Sequence, residues 1–464
     1  MSASGSTAAL KVGDLLELRV DDLDQEGRGV GRIEGAVVFV DGGLPGERLQ
    51  VRLRHRARRH WLAQRQAVLE AAPERRRPPC LLAERCGGCS LQALSPAAQA
   101  DWKQRRVISS LERLAGLQAP VRPLLQAPQE LGYRNRAVIP LERANGHLRA
   151  GYYQRGSHRI VNLSRCPVLD PRIDALIAPI KADLEATAWP VDRHAGGEAG
   201  GLRHLALRVG SRSGEVLITL IASHETLPGL VDLAGEWRRR WPEVVGVCLN
   251  LQPLPGNRLM GPQTRVLQGR GELRERFAGL DLLISADSFF QVHTGQAERV
   301  VPLLLEALDG SPGRLLDAYC GIGTYSLPLA AAGWQVLGLE QQPSSIALAR
   351  RNAMANGLGE RARFEQAEVG EVLSSRLEGC EALFVDPPRK GLEPPALAAI
   401  VAAGPERVLY LSCDPATLAR DLGLLSREGG YRLAWLQPLD FFPNTSHVET
   451  LAVLRRGGPA AAGP

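Results

Sequence analysis

The sequence lacks the features of a membrane or exported protein. It has no uninterrupted apolar run of the ~18 residues that a membrane-spanning helix needs. Its start, MSASGSTAALKVGD, has neither the basic region nor the apolar region of a secretory signal peptide. Internal repeats are absent, and the only low-complexity tract is the GGPAAAGP tail. We therefore expect a cytoplasmic protein with no membrane partner, whose cysteines are kept reduced.

Length and composition exclude two further classes. The chain has 464 residues, 44% hydrophobic and 23% charged, which is ordinary globular usage and excludes wholesale disorder. At about 150 residues per domain, this length predicts about three domains and excludes a disulfide-stapled miniature protein.

Acidic residues are scarce in one basic segment. The net charge is +6, yet the segment from Arg48 to Arg77 contains ten arginines and only two acids, Glu70 and Glu74. Within it, VRLRHRARRHWLAQ interleaves arginine with histidine and tryptophan. Guanidinium groups beside stackable rings suit a phosphate backbone with unpaired bases, so the segment predicts RNA binding; a solvated charged face is the alternative.

Three regions differ in their hydrophobic pattern. Residues 8–71 contain short apolar runs separated by glycine turns, which predicts a small β-barrel. Residues 75–285 predict an α+β central domain, including a helix over 96–117. Residues 286–464 alternate strands with helices, which is typical of an α/β doubly wound parallel sheet.

A glycine turn follows the first strand of this last region. In RLLDAYCGIGTYSLPLA, Gly321 and Gly323 allow a ligand to approach the backbone at the strand end. Ser326 stands where the third glycine of a dinucleotide fingerprint would fall, and Glu340, at the end of the next strand, can accept both ribose hydroxyls of an adenosine. The pattern favours S-adenosylmethionine over a nicotinamide or flavin dinucleotide.

Two more strand ends carry reactive groups. Asp386 follows the strand EALFV and could bind an amine or imide of a ligand, or could simply cap a turn. Cys413 lies just before the helix start Asp414-Pro415, where the helix dipole is expected to lower its pKa and favour a nucleophilic thiolate over an inert core thiol. At the start of the last strand, Glu449 should share a side with His447, which a surface pair would also explain.

Four cysteines form a second candidate site. Cys80, Cys86 and Cys89 lie within ten residues, and Cys166 follows later before a proline. Four thiolates suit either a tetrahedral zinc ion or an iron–sulfur cluster, and their spacing leaves both open. Apart from Cys413, the remaining cysteines are Cys248, Cys320 and Cys380, which are interpreted as packing residues.

Five motifs together resemble one enzyme family. SFFQV, DAYCGIGT, FVDPPRKG, YLSCDPATLARDL and FFPNTSHVE occur in the order found in RNA uracil-5-methyltransferases. The chain resembles the members that carry an N-terminal TRAM domain and a [4Fe-4S] cluster and modify 23S ribosomal RNA. The resemblance implies a Rossmann-like class I methyltransferase domain over 286–464, a TRAM-like barrel over 8–71, and a central RNA-binding domain over 75–285 whose helix 96–117 packs on the catalytic domain.

The resemblance also implies a reaction and its residues. A methyl group would pass from S-adenosylmethionine to C5 of a uridine in RNA through a covalent adduct between Cys413 and C6, giving 5-methyluridine, with Glu449 as general base. Gln291, Asp386 and Tyr319 would contact S-adenosylmethionine and the uracil together with Glu340. Gly321, Gly323 and Thr324 would complete the cofactor site, although some relatives have asparagine at the position of Thr324. Cys80, Cys86, Cys89 and Cys166 would hold the cluster.

Other functions stay open at this point. The same chemistry could act on a transfer RNA uridine. An iron–sulfur redox enzyme with a nucleotide cofactor would also use four cysteines beside a Rossmann-like sheet. A non-enzymatic RNA-binding protein would explain the basic barrel alone. A monomer is the expected assembly.

Overall fold

The computed structural model describes residues 10–191, 200–254, 256 and 258–457. Residues 8 and 9 of the predicted barrel, and the tail after 457, lie outside this part. The chain forms two compact units, of which the first comprises Met1–Trp102, Tyr153–Arg159 and Phe442–Ser446, and the second comprises Lys103–Tyr152, Ile160–Phe441 and His447–Pro464. None of the described helices has the length and apolar character needed to span a bilayer. The three predicted domain boundaries stay a prediction.

The first unit contains a closed β-barrel. Its strands are β1 (Leu15–Leu23), β2 (Gly29–Ile33), β3 (Ala36–Val40), β4 (Arg48–Arg56) and β5 (Trp61–Glu70). They pair in the order β1-β2-β3-β5-β4, and β1 closes the barrel on β4. In β4, Leu49, Val51 and Leu53 are fully buried, whereas Gln50 and the arginines Arg48, Arg52 and Arg54 face outward, since successive side chains of a strand point to opposite faces. The alternating sequence thus builds the core and the basic surface from one strand.

A helix begins in the first unit and ends in the second. Helix α1 (Pro96–Ser110) continues as a π-helical turn, Leu111–Ala115, and stops at Gly116, whose φ of 66° is left-handed. The helix therefore ends slightly before the predicted residue 117. In the second unit, Lys103 of α1 donates to Asp440 at 2.7 Å, and both side chains are buried.

The central part of the second unit is an α+β arrangement, as predicted. Its elements are β6 (Arg136–Ala144), β7 (His147–Ala150), α2 (Pro171–Ala186), β8 (Leu202–Val209), β9 (Val216–Ala222), α3 (Leu230–Arg240), β10 (Val244–Leu251), β11 (Gln263–Gly269), β12 (Glu272–Phe277) and β13 (Leu280–Ser285). Six of the strands form a sheet in the order β11-β10-β9-β8-β6-β7, and β12 and β13 form a hairpin. Strands β8 and β9 are buried along their whole length, which places them in the middle of the sheet core.

The C-terminal part of the second unit is a seven-stranded doubly wound sheet. Its elements are α4 (Thr294–Glu298), α5 (Val300–Ala307), β14 (Arg314–Ala318), α6 (Ser326–Ala331), β15 (Gln335–Glu340), α7 (Pro343–Ala355), β16 (Ala362–Gln366), α8 (Val369–Arg376), β17 (Ala382–Val385), α9 (Pro394–Ala403), β18 (Arg407–Ser412), α10 (Pro415–Glu428), β19 (Tyr431–Leu439) and β20 (Glu449–Arg456). The strand order is β16-β15-β14-β17-β18-β20-β19, with only β20 antiparallel to its neighbours. This is the predicted Rossmann-like class.

The π-helical turn packs on this sheet's last helix. A Cβ atom at Gly423 of α10 would lie only 3.4 Å from Ala115, so the absence of a side chain there permits the close approach.

Two buried arginines hold the segment before α4. Arg208 donates to the carbonyl oxygens of Ser285 and Ser288, each at 2.8 Å, and Arg136 donates to that of Ala286 at 3.3 Å. The guanidinium groups supply donors to these carbonyls, and the Ser288 hydroxyl is a second donor to that of Ser285 at 3.2 Å. Arg136 of β6 and Arg208 of β8 therefore fix the segment that leads to Gln291.

Candidate active site

The loop that follows β14 begins at Tyr319, and its backbone is open at Gly321. The backbone amides of Tyr319 and Cys320 both donate to the carbonyl oxygen of Leu339, at 2.9 and 3.0 Å, which ties the loop to β15. Tyr319 has a φ of 74°, a conformation that non-glycine residues seldom adopt. Gly321 has a φ of 55°, and a Cβ atom there would meet nothing within 4 Å. The strand end thus presents bare backbone to a ligand, as expected for Gly321.

Gly323 lies close to the sheet. A Cβ atom at this position would lie 3.1 Å from the Phe364 ring and 3.2 Å from Leu327, so the absence of a side chain lets the loop pack closely on the sheet. Its expected part in the cofactor site stays a prediction. Thr324 beside it is largely buried.

Glu340 lies at the adjacent strand end. It is the last residue of β15, and its Oε1 accepts a hydrogen bond from the Gln342 amide at 2.9 Å. The open backbone at Gly321 and the oriented carboxylate of Glu340 thus lie at the ends of neighbouring parallel strands, the edge where open α/β sheets bind ligands.

Asp386 joins this edge to the segment before α4. It follows β17 directly, and its Oδ2 lies 3.5 Å from Nε2 of Gln291. Burial raises the pKa of Asp386 to about 7, with a further contribution from the charge of Asp317. The structure therefore brings together two predicted residues that are 95 positions apart.

Asp317 is a site residue that sequence analysis missed. This residue of β14 is fully buried, and the Ser326 hydroxyl donates to its Oδ2. Burial raises the pKa of Asp317 to about 7. Its place in the motif DAYCGIGT was the available signal.

Cys413 lies between β18 and α10, as predicted. Asp414 caps the helix by accepting from the amides of Ala416 and Thr417, both at 2.9 Å. The expected lowering of the Cys413 pKa is wrong. Burial and the negative charges of Glu449 and Asp386 raise the pKa of the thiol to about 12, since they outweigh the partial positive charge of the helix end.

Glu449 is the first residue of β20 and is 5% exposed. Burial, and then the charge of Asp386, raise the pKa of its carboxyl to about 8, while Arg389 opposes this shift. In the resting protein at neutral pH, Glu449 therefore holds a proton for most of the time. A group with this pKa is well matched to proton transfer near neutral pH.

Arg389 is a second residue missed from the sequence, although it lies in the motif DPPRKG. Its Nη2 lies 2.9 Å from Nδ1 of His447, and burial together with Arg389 lowers the pKa of His447 to about 4. His447 lies before the first residue of β20, Glu449. His447 and Glu449 are therefore not two residues of the same strand, as the sequence had predicted. Arg389 also lowers the pKa of Cys413 and of Glu449, which makes it the cation of this site.

The two phenylalanines before Gln291 differ in burial. Phe290 is 3% exposed and packs edge-on against Phe277 in the core. Phe289 is 59% exposed and lies outside the core.

The basic surface of the barrel is smaller than its sequence suggested. Arg48 pairs with Glu17 and Glu70, and Arg75 pairs with the buried Glu47. Trp61 is 6% exposed in the barrel core and offers no ring for stacking. Four arginines stay exposed at the end of β4 and in the turn after it: Arg54, Arg56, Arg58 and Arg59.

The four predicted cluster cysteines do not form a metal site in the described part of the chain. Cys80, Cys86 and Cys89 belong to the first unit, and Cys166 belongs to the second. Among the described residues, no three histidine, cysteine or acidic side chains are arranged to hold a metal ion. Cys86 accepts from the Gly88 amide at 3.4 Å, and burial raises its pKa.

Fold and site together define a class I methyltransferase. Residues 280–457 match the family model described as tRNA (Uracil-5-)-methyltransferase, and residues 9–60 match the TRAM domain. The chain is 52% identical over 95% of both chains to an uncharacterized RNA methyltransferase of Parasynechococcus marenigrum, and 44% identical over 96% of both chains to one of Synechocystis. The chain belongs to the RNA uracil-5-methyltransferase family.

A solved structure supports the same placement. The tRNA (uracil-54, C5)-methyltransferase of Pyrococcus abyssi, in complex with S-adenosyl-L-homocysteine, is 26% identical with a TM-score of 0.74. The match covers 94% of this chain and 99% of that one.

The thiol of Cys413 should react slowly in the resting enzyme. We expect its alkylation by iodoacetamide to accelerate about tenfold per pH unit from about pH 7 to 9, since the thiolate fraction rises in that proportion below the pKa. Glu449→Gln should accelerate the reaction at about pH 9, because it removes a negative charge near the sulfur. Peptide mass spectrometry measures both rates, and a rate that levels off by about pH 8 would contradict the raised pKa.

Proposed function

We propose that this protein transfers a methyl group from S-adenosylmethionine to C5 of a uridine in RNA, most specifically in 23S ribosomal RNA, giving 5-methyluridine. The observation that carries the proposal is the meeting of a thiol and two acids at one strand edge. The charges of Glu449 and Asp386 both act on Cys413, and Gln291 lies within hydrogen-bonding reach of Asp386. A nucleophile, a base and an amide-binding pair are the groups that uracil methylation needs.

The cofactor site is proposed at the ends of β14 and β15. Glu340 would accept the ribose hydroxyls, and the backbone at Gly321 would lie against the ligand. Tyr319, Thr324 and Asp386 would border the same space, with Gly323 supporting the loop. When bound there, S-adenosylmethionine supplies an electrophilic methyl group.

Cys413 is proposed as the nucleophile. C5 of uracil attacks electrophiles poorly, and addition of the thiolate to C6 converts the ring to an enolate with nucleophilic character at C5. The sulfur gains a bond to C6, and the C5=C6 electron pair moves toward the carbonyl oxygen. Arg389 favours the thiolate because it is the cation that lowers the pKa of Cys413.

Glu449 is proposed as the base that ends the reaction. After methylation, C5 carries both a methyl group and a hydrogen. The Glu449 carboxylate removes that proton, the electron pair restores the C5=C6 bond, and the Cys413 sulfur leaves. Its pKa of about 8 lets it take the proton and release it near neutral pH.

The substrate uridine must leave its stack to reach Cys413, which favours a loop or a flipped base. The exposed arginines of the barrel, Arg54 to Arg59, would bind the phosphates nearby on the RNA. The barrel and the cysteine set favour a ribosomal target. A transfer RNA uridine is the second candidate, and the Pyrococcus abyssi relative, named for that activity, favours it. A monomer is the proposed assembly.

Loss of the Cys413 sulfur should abolish the product. In cells whose only copy encodes Cys413→Ala, we expect one 5-methyluridine in 23S ribosomal RNA to fall at least about a thousandfold, because no adduct can form. Mass-spectrometric mapping of ribosomal and transfer RNA measures the loss. The matched control, Cys380→Ala, should keep the modification, and Cys413→Ala should still bind RNA. Loss from transfer RNA alone would select the second candidate, and an active Cys413→Ala enzyme would refute the nucleophile.

Loss of the base should trap the intermediate. Glu449→Gln should accumulate a covalent protein–RNA adduct, since methylated C5 keeps its proton and the sulfur cannot leave. A denaturing gel with labelled RNA measures the adduct, and Cys413→Ala combined with Glu449→Gln should show none. Absence of any adduct in Glu449→Gln would remove Glu449 from this role.

A [4Fe-4S] cluster on Cys80, Cys86, Cys89 and Cys166 stays a separate proposal. It is supported by three cysteines within ten residues and by the amide that donates to Cys86, a contact that thiolate ligands of clusters commonly accept. We expect about four irons and four sulfides per chain after anaerobic purification, and fewer than one in Cys86→Ser. Stoichiometric zinc would contradict the cluster.

A further inference from the structure

Tyr325 lies beneath the active site and has no part in the mechanism described above. It precedes α6, and its ring is 4% exposed. The ring packs edge-on against Phe384, with centroids 5.5 Å apart, and against Phe277 at 6.0 Å. Phe384 lies two residues before Asp386, and Phe277 contacts Phe290, the residue before Gln291. The ring therefore packs near both residues of the Gln291–Asp386 contact, directly through Phe384 and indirectly through Phe277 and Phe290.

The hydroxyl of Tyr325 is the unusual part of this residue. Its oxygen is enclosed, yet it has no hydrogen-bond partner among the described residues. Two other buried tyrosines of the same unit are paired: Tyr410 donates to Asp421 and Tyr431 donates to the Pro405 carbonyl, both at 2.8 Å. A phenylalanine would supply the same ring packing without an unpaired polar atom. Packing alone therefore does not account for a tyrosine here.

Three acidic side chains act electrostatically on the Tyr325 phenol. The charges that act on Tyr325 are those of Asp386, Glu449 and Asp317, in this order of strength. Together with burial they raise the pKa of the phenol well above its usual value, so it stays a neutral proton donor. Asp317 already accepts from Ser326, whereas the charge of Asp386 raises the pKa of Glu449; we refer to these two acids as the Asp386–Glu449 carboxyl pair.

We propose that Tyr325 is a positioning residue whose hydroxyl donates a hydrogen bond to the Asp386–Glu449 carboxyl pair when substrate is bound. The bond favours the charged form of the pair, which is the form that removes the proton from C5. This inference rests on the proposed function and names a group that tunes its last step. The pair is also faced by Asp317 from β14, by Arg389 after β17 and by Cys413 after β18, and all of these stay unchanged in the test.

The test compares adduct formation with adduct breakdown in single-turnover reactions of the full-length enzyme across about pH 6 to 10. Tyr325→Phe should move the midpoint of the breakdown rate upward by about one pH unit, so that breakdown at neutral pH slows about tenfold. Adduct formation and the KM values for RNA and S-adenosylmethionine should stay within about twofold of wild type. Tyr431→Phe, which loses a buried hydrogen bond far along the sheet, should leave the midpoint unchanged.

A second variant gives the opposite sign. Replacement of Tyr325 by 3-fluorotyrosine strengthens the donor and keeps the ring, so the midpoint should move downward. An unchanged midpoint in both variants, or an upward shift in both, would overturn the inference while wild-type turnover still supports the proposed function. A wild-type enzyme that never forms an adduct would overturn the proposed function, and this inference with it.

Discussion

The burial of several acids at one edge of a parallel sheet is the constraint on which this site depends. Asp317, Asp386 and Glu449 lie where water cannot solvate three negative charges, so the pKa of each is raised to between about 7 and 8. The edge therefore holds protons at neutral pH. Its total charge, more than any single residue, determines whether the neighbouring thiol can ionise.

The burial of these acids keeps the Cys413 thiol unreactive in the resting enzyme. With its pKa raised to about 12, Cys413 is almost entirely a thiol, which neither alkylates nor oxidises readily. In the proposed mechanism, in which the sulfur forms a reversible covalent bond, a thiol that stays protonated in the resting enzyme avoids side reactions. The same buried surroundings raise the pKa of Glu449 to about 8, so its carboxyl can exchange a proton near neutral pH.

Much of the site follows from local sequence, and its electrostatics does not. Apolar runs that end in glycine or proline predicted the strand ends at Tyr319, Asp386 and Cys413, because these residues stop a strand by their own backbone chemistry. The pKa of Cys413 could not be predicted, since it depends on Glu449 and Asp386, which only the sheet order β17-β18-β20 brings near.

The burial of individual side chains also could not be predicted from neighbouring residues in the sequence. In the barrel, the alternation of β4 and β5 decides that Trp61 faces the core, which a run of arginines and rings does not reveal. The four cysteines show the same limit, because spacing along the chain says nothing about whether distant sulfurs converge.

The helix after Cys413 shows why the thiol needs a cation of its own. Asp414 accepts from the first unpaired amides of α10, so a carboxylate already uses the positive end of that helix. The negative charge of Asp414 then raises the pKa of the adjacent sulfur. Because Asp414 caps the N-terminus of α10, the amides there are not available to stabilise the Cys413 thiolate. Arg389, which follows the two prolines after β17, is the cation whose charge lowers the pKa of both Cys413 and Glu449.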